Sequence, residues 1–340
     1  MTRHRTLDRT LRVAVCLGAI LAAGCGGGGD EAPPPPELLQ ITAGNQVAVA
    51  RATAMSFGSL DSARDLPTAS SSSAAHASAV SGSTKHALGK AVAAARATSA
   101  KVMPLGIFSY TEPCSVSGSI TLTLDDRDNN TNPSAGDVLT MAFNDCRDSA
   151  SSLVKGTLTV NVASYADPLL SGLFSFGQLT LVDGDSTIAM NGQANFVYTE
   201  SRDPAGTSTT RITMKVAAAG LVNSISIPNY KDTFSYDPDL SAVWTDVTPS
   251  AAPGYSTSVL NGKVHIASLG GKVIVNTDPP IHDVWAEDYP DSGKLLITGY
   301  QSKLQLTVLN TTTTRLELDA NNDGTFESTR DMPWSELLPW

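Results

Sequence analysis

From residue 104 onward, apolar and polar residues alternate along the chain. The stretches GSITLTL (118–124), GTLTVNV (156–162), GQLTL (177–181), TIAMNGQANFVYTE (187–200) and TRITMKV (210–216) place apolar residues two apart, with Thr, Asn, Gln or Lys between them. NSISI (223–227), GKVHIAS (262–268), GKVIVNT (271–277), GKLLITGY (293–300), SKLQLTVL (302–309) and TRLELD (314–319) continue the pattern. A period of two means strands with one buried and one wet face. Asn191-Gly192, Asn261-Gly262, Gly270-Gly271 and the VDGDS stretch read as the turns between them. No helical periodicity intervenes and the spacing of the runs is irregular, which excludes a fixed-period solenoid. The prediction is an all-β domain over residues 104–340: one large antiparallel meander of about a dozen strands, as a curved sheet, a sandwich or a partly closed barrel. A membrane-spanning barrel is excluded by the two prolines of the closing MPWSELLPW stretch and by the lack of aromatic girdles.

Ahead of this domain the texture differs. Residues 25–103 open on CGGGGDEAPPPP and later run TASSSSAAHASAVSGS, a composition that cannot build a core. They predict a disordered tether with two marginally helical stretches, LLQITAGNQVAVARATAMS (38–56) and STKHALGKAVAAARATSAK (83–101). A flexible tether of that length would have an r.m.s. span of about 50 Å.

The first residues read as an export signal over residues 1–24, a basic stretch followed by the apolar VAVCLGAILAA, too short to cross a bilayer. LAAGC resembles the lipobox of bacterial lipoproteins. The resemblance implies that Leu21, Ala22, Ala23 and Gly24 are recognition positions and that Cys25 carries a diacylglyceryl thioether and an acyl chain such as palmitate. Gly26, in place of Asp, resembles the sorting signal for the outer membrane. With Cys16 in the discarded signal and Cys25 lipidated, Cys114 and Cys146 remain, and an oxidising compartment predicts that they form one disulfide.

Charge narrows the partners. The chain of 340 residues carries 23 Lys and Arg against 33 Asp and Glu. The first 24 hold four Arg and one Asp, so the remainder has 19 basic and 32 acidic residues, a net charge of about −13. That balance excludes nucleic acid, whose phosphates need clustered Lys and Arg. It suits cation binding, and two loops have the spacing for it. In DDRDNNTNPSAGD, oxygen-bearing side chains fall at Asp126, Asp128, Asn130, Asn132, Ser134 and Asp137, positions 1, 3, 5, 7, 9 and 12 of a calcium-type loop. Position 6 is Thr131 instead of glycine, and the flanks are strands. In DANNDGTFESTRD, Asp319, Asn321, Asp323, Thr325 and Glu327 follow the same alternation. Arg330 stands at position 12, so Glu327 or Asp331 has to close the shell. Both loops also read simply as polar hairpin turns.

Candidates for catalysis are few. Ser152 and Lys155 form an isolated Ser-x-x-Lys at the start of a strand, where that spacing faces opposite sides. His265 reads as a strand residue and His282 as a loop residue. Asp283, Glu287, Asp288 and Asp291 surround Trp285 and Tyr289, a composition able to line a sugar groove or, as paired carboxylates, to hydrolyse a glycan. Taken whole, the chain is similar to the uncharacterised β-rich envelope lipoproteins of Gram-negative bacteria, with lipobox, Ala/Ser-rich linker, a disulfide in the first hairpin and a closing LDANNDGTFE…PW segment. The resemblance implies no known activity; the expectation is a lipid-anchored, non-enzymatic binding or structural domain of the outer membrane that calcium can stabilise. Its partner would be a protein, a glycan or a lipid. A glycan-active hydrolase and a carrier of an apolar lipid are the alternatives.

Overall fold

The computed structural model describes residues 37–61, 106–130 and 134–338. The signal stretch, Cys25 and the second helical stretch of the expected tether lie outside the described residues. Within them are sixteen strands: β1 (Ile107–Pro113), β2 (Ser117–Asp125), β3 (Val138–Arg147), β4 (Ser152–Ala166), β5 (Leu169–Asp183), β6 (Ser186–Arg202), β7 (Ser208–Ile227), β8 (Tyr230–Tyr236), β9 (Ser241–Thr248), β10 (Tyr255–Ile266), β11 (Gly271–Thr277), β12 (Ile281–Val284), β13 (Gly293–Gly299), β14 (Ser302–Asn310), β15 (Thr313–Asp319) and β16 (Ser328–Pro333). Helix α1 (Gln46–Asp61) precedes them and a single turn, α2 (Trp334–Leu337), follows.

The strands form one antiparallel sheet in chain order, the predicted meander, and it does not close into a barrel. Two positions in the sheet are shared by strand pairs lying end to end. β8 and β9 together fill the place between β7 and β10, and β11 and β12 together flank β10 on its other side.

The long strands bend where the ladder slips. Register shifts interrupt β2 at Ser117/Ser119, β3 at Phe143/Cys146, β4 at Lys155/Thr157, β5 at Phe176/Leu179 and β6 at Gly192/Ala194. In β7, Val216 and Leu221 pair on either side of an unpaired Ala-Ala-Ala-Gly. These bulges lie on neighbouring strands and make a corner across the sheet. At Gly156 (φ +101°) and Gly192 (φ +125°) an added Cβ would run into the carbonyls of Gln178 and Gly220 on the next strand. Only glycine fits there. The bulges also keep the apolar face inward. β7 buries Ile212, Met214 and Val216 before the corner and Leu221, Asn223 and Ile225 after it, a change from even to odd positions.

Asn191-Gly192 and Asn261-Gly262, expected as turns, lie inside β6 and β10. Their glycines bend continuous strands instead of ending them. Gly270-Gly271 and the Asp-Gly-Asp of VDGDS do mark chain reversals.

The largest departure from expectation is the first helical stretch, assigned to the tether and in fact part of the folded unit. Ile41, Val49, Ala50, Met55 and Leu60 are fully buried, and α1 contacts β7, β10, β14, β15 and α2. An isolated helix of this length is marginal in water. Burial changes that, since each large apolar side chain contributes about 1.5–3 kcal/mol. A buried polar cluster fixes the helix on the sheet: Tyr236 Oη donates to the Ser56 carbonyl (2.8 Å) and contacts Ser59 Oγ (2.9 Å), while Asn223 Nδ2 donates to the Ser59 carbonyl (3.3 Å). The strap ahead of α1 is stitched down as well. Leu39 N–H donates to the Lys272 carbonyl, Tyr300 N–H to the Leu39 carbonyl, and Ile41 N–H to Ser302 Oγ. The Lys272 ammonium binds both Glu37 and Asp237, which raises its own pKa and lowers that of Glu37.

These connections give the sheet two distinct ends. The strap, the turns β7–β8, β10–β11 and β13–β14, and the loop after β15 share one end, here the strap end. The β2–β3 loop, the turns β4–β5 and β9–β10, the C-terminal end of α1 and α2 lie toward the other, the far end. The 16 residues of α1 are about 24 Å long.

Candidate binding sites

The β2–β3 loop sits at the far end and is built on Asp137, which is 1 % exposed. Its carboxylate accepts the backbone N–H groups of Arg127 (3.1 Å) and Ser134 (2.8 Å) and the Ser134 hydroxyl (3.2 Å). Asp128 accepts the Asn130 backbone and side-chain N–H groups and the Ser134 hydroxyl (2.8 Å). The hydroxyl of Ser134, ahead of the backbone donor, lowers the Asp128 pKa. Asp126, Asp128 and Asp137 each bring an oxygen within 4.8 Å of the others, while Asn132 lies outside the described residues. The disulfide is formed between Cys114 and Cys146, with Cα atoms 5.5 Å apart. It does not brace this loop. Cys114 follows β1 and Cys146 ends β3, so the bond closes the strap end of the hairpin, a full strand length from Asp137.

The loop after β15 repeats the plan at the strap end. Asp319, 1 % exposed, accepts the backbone N–H groups of Asp323 (3.2 Å) and Gly324 (3.0 Å). Asn321 faces Asp323 through two hydrogen bonds, and the Thr325 N–H donates to Asp323 (2.8 Å), the main cause of that carboxyl's lowered pKa. Glu327 accepts the Ala320 N–H (2.8 Å) and completes a trio with Asp319 and Asp323 within 4.8 Å. Of the two residues expected to close the shell, Glu327 is in place. Asp331 is turned away, held by Arg315 through two bonds (2.6 and 2.9 Å), and Arg330 pairs with Glu336. Thr325 contributes its backbone to Asp323. Each loop thus gathers three carboxylates whose oxygens lie within 4.8 Å of one another, where a calcium ion takes six to eight oxygen ligands.

The acidic stretch around Trp285 contributes to a cleft of about 210 Å³ at the far end. Asp283 and Asp288 line it, together with Tyr289, whose ring lies parallel to that of Trp334 at 5.9 Å. Glu287 is exposed, and Asp291 is bonded to His282 Nδ1 (2.7 Å) and Ser292 Oγ (3.1 Å). His282 belongs to β12 and not to a loop; it pairs with Thr257 on the outer face. Trp285 packs flat on Gly254, where a Cβ would meet its ring, and does not line the cleft. The opposite wall is one that sequence reasoning missed: Ala54, Phe57 and Asp61 of α1, with Leu338 beyond α2. The floor is Ile281, Leu295 and Leu306, with Ser256 and Ser258 of β10 between. Reading α1 as tether hid this wall, because a helix expected in solvent has no wall to form.

His265 is a strand residue as expected, and Ser152 and Lys155 lie on β4 with the lysine exposed. α1 lies against β7, β10, β14 and β15, with Val49, Ala50, Met55 and Leu60 fully buried there. No family model matches the chain, and no curated protein or solved structure is significantly similar to it.

Proposed function

We propose that this chain is a lipid-anchored protein of the bacterial cell envelope whose β domain is a non-enzymatic binding module. The observation that carries the binding reading is the far-end cleft, a concave site with apolar walls and a few converging polar groups, as small-molecule sites have. The anchor rests on the lipobox-like LAAGC and the Gly26 that follows it. If Cys25 is lipidated, the eleven residues before Glu37 reach at most about 40 Å even when fully extended. The strap end would then be held near the membrane, with the cleft turned away from it. Three acyl chains exceed what stable anchoring needs. The acidic loops support calcium as a stabilising ion, held by Asp126, Asp128 and Asp137 in one and by Asp319, Asp323 and Glu327 in the other.

Cell fractionation tests the anchor: the wild-type chain should sediment with outer membranes and take up a labelled fatty acid, and Cys25→Ala should do neither. Label uptake by the alanine variant would refute it. A glycan hydrolase is the second reading, favoured by the presence of Asp283 and Asp288 in one cleft. Turnover of envelope glycans by the wild type, lost in Asp283→Asn, would establish it in place of the binding module.

A further inference from the structure

We propose that β1 is a docking edge for a second copy of this chain, the two β1 strands pairing antiparallel about a two-fold axis at Ser109. This edge is distinct from the cleft and needs no lipid anchor. β1 and β16 are the outermost strands, and among the described residues each pairs on one side only. An outer strand offers a row of backbone donors and acceptors to any extended chain, and proteins ordinarily guard such a row with charges or proline. β16 is guarded: Asp331 is held by Arg315, Arg330 by Glu336, and Pro333 ends the strand. β1, with the sequence IFSYTEP, has no lysine or arginine, no register shift and a single charge, Glu112. Its Ile107 and Tyr110 are 66 % and 44 % exposed, and Ser109 and Thr111 are exposed as well.

The ladder fixes which groups face outward. Asp126 N–H donates to the Gly106 carbonyl and Cys114 N–H to the Gly118 carbonyl, and the register between them is unbroken. The even-numbered residues of β1 therefore bond to β2, and Ile107, Ser109 and Thr111 point both backbone groups outward. Pairing about Ser109 sets Ile107 opposite Thr111 of the second copy and Ser109 opposite Ser109, so every one of these N–H groups meets a carbonyl. On the inner face the same register sets Phe108 opposite Tyr110 twice, as aromatic pairs at the closer, non-hydrogen-bonded positions. Phe108 and Tyr110 lie beside the buried Leu124 and Leu122, so the apolar face of the sheet continues across the axis. Glu112 falls opposite Gly106, and no two carboxylates meet although the chain is acidic. Centring the pair at Tyr110 or Thr111 instead would set the Pro113 ring against the Ile107 or Ser109 carbonyl and Glu112 against Phe108 or Tyr110.

A strand pairing this short buries much less than the roughly 800 Å² per partner of a standard interface, so the dimer is weak and calls for covalent trapping. The full-length protein in detergent, at high concentration, is oxidised with diamide and resolved on non-reducing gels, with the wild-type chain as the control for its native cysteines. Ser109→Cys should form a disulfide-linked dimer, its two Cα atoms lying about 5.5 Å apart across the axis. Thr111→Cys, whose copies lie about 13 Å apart along the strands, should not. Both substitutions change exposed side chains and leave the fold intact. Tyr110→Lys added to Ser109→Cys removes both aromatic pairs and should cut the dimer yield by roughly tenfold. Absence of the Ser109→Cys dimer would overturn the docking edge, and equal trapping of Ser109→Cys and Thr111→Cys would overturn the register. A yield untouched by Tyr110→Lys would overturn the role given to the aromatic pairs. With the oxidation repeated in intact cells, a mixed disulfide to another protein in place of the dimer would overturn the second copy as occupant.

Discussion

The two acidic loops are built on the same device at opposite ends of one sheet. Each folds around a single aspartate, Asp137 or Asp319, that is 1 % exposed and takes two backbone N–H groups of its own loop. Burial would be costly for either carboxylate alone; the inward-pointing donors offset it. They differ in what surrounds that core. The loop after β15 is flanked by the bidentate Arg315–Asp331 pair and closed by Glu327, so backbone and charged groups secure it. In the β2–β3 loop one hydroxyl joins two carboxylates, since Ser134 bonds both Asp128 and Asp137. A loop that is sound without an ion can gain from one only through oxygen lone pairs left over, and the comparison shows where each loop has already used its own.

The largest test concerns the disulfide, which could be taken to support the β2–β3 loop. Breaking it with Cys114→Ser and Cys146→Ser should cost about 3–4 kcal/mol, the chain-entropy value for a loop closed over 32 residues. The loss should appear as a lower denaturation midpoint. Because the bond lies at the strap end, hydrogen exchange of the Ser134 and Arg127 amides should keep its rank relative to the Asp323 and Gly324 amides. A selective loss of protection in the β2–β3 loop would mean that the bond braces it after all.

Next in size are the aspartates themselves. Asp137→Asn and Asp319→Asn each turn an acceptor into a donor facing a backbone N–H, leaving it unsatisfied, and should cost about 2 kcal/mol each. Thermal melts check this, and Asp137→Asn should be the more harmful because it also loses the Ser134 hydroxyl. A silent Asp319→Asn would show that Glu327 and the Arg315–Asp331 pair hold the second loop without its buried carboxylate. Calcium should act on the same scale. At a hundredfold excess over its Kd, each occupied site should add about 2.7 kcal/mol, read as a rise in melting temperature over the chelated protein. Asp128→Asn and Asp323→Asn, each removing a carboxylate from one acidic trio, should both reduce that rise.

How much of this was legible in the sequence depends on whether the signal is local. The strands are: every alternating run from 118 to 319 became a strand, because a period of two against one buried face needs no distant information. Both acidic loops were legible from Asp and Asn spacing alone. The corner was not, since Asn-Gly names a backbone conformation and not its setting. The same positive φ serves a hairpin turn and a bulge, and only the strands alongside Gly192 and Gly262 decide between them. Helix α1 was hidden for a related reason. Thr53, Ser56 and Ser59 are fully buried beside Val49, Met55 and Leu60, so its inner face mixes polar with apolar residues and blurs the apolar stripe that marks a docked helix. Its partners, Tyr236 and Asn223, lie some 160 residues or more downstream. The cleft inherits that gap, because one of its walls is this helix.

The smallest effect separates the loops most cleanly. Asp128 and Asp323 both titrate below the ordinary aspartate value of 3.8, the first chiefly because the Ser134 hydroxyl donates to it and the second chiefly because the Thr325 backbone N–H does. A carboxyl whose folded pKa is depressed stabilises the protein above its unfolded value, and that contribution disappears as pH falls through the folded pKa. Both loops should therefore hold at neutral pH and loosen only below about pH 4. Ser134→Ala should return the Asp128 pKa toward 3.8, as followed by its carboxyl carbon resonance, and leave Asp323 where it is. Thr325→Ala, which keeps the backbone donor, should move Asp323 far less than Ser134→Ala moves Asp128. Equal shifts from the two substitutions would mean that side-chain hydroxyls govern both carboxylates, and the distinction between a hydroxyl-held and a backbone-held loop would fall with it.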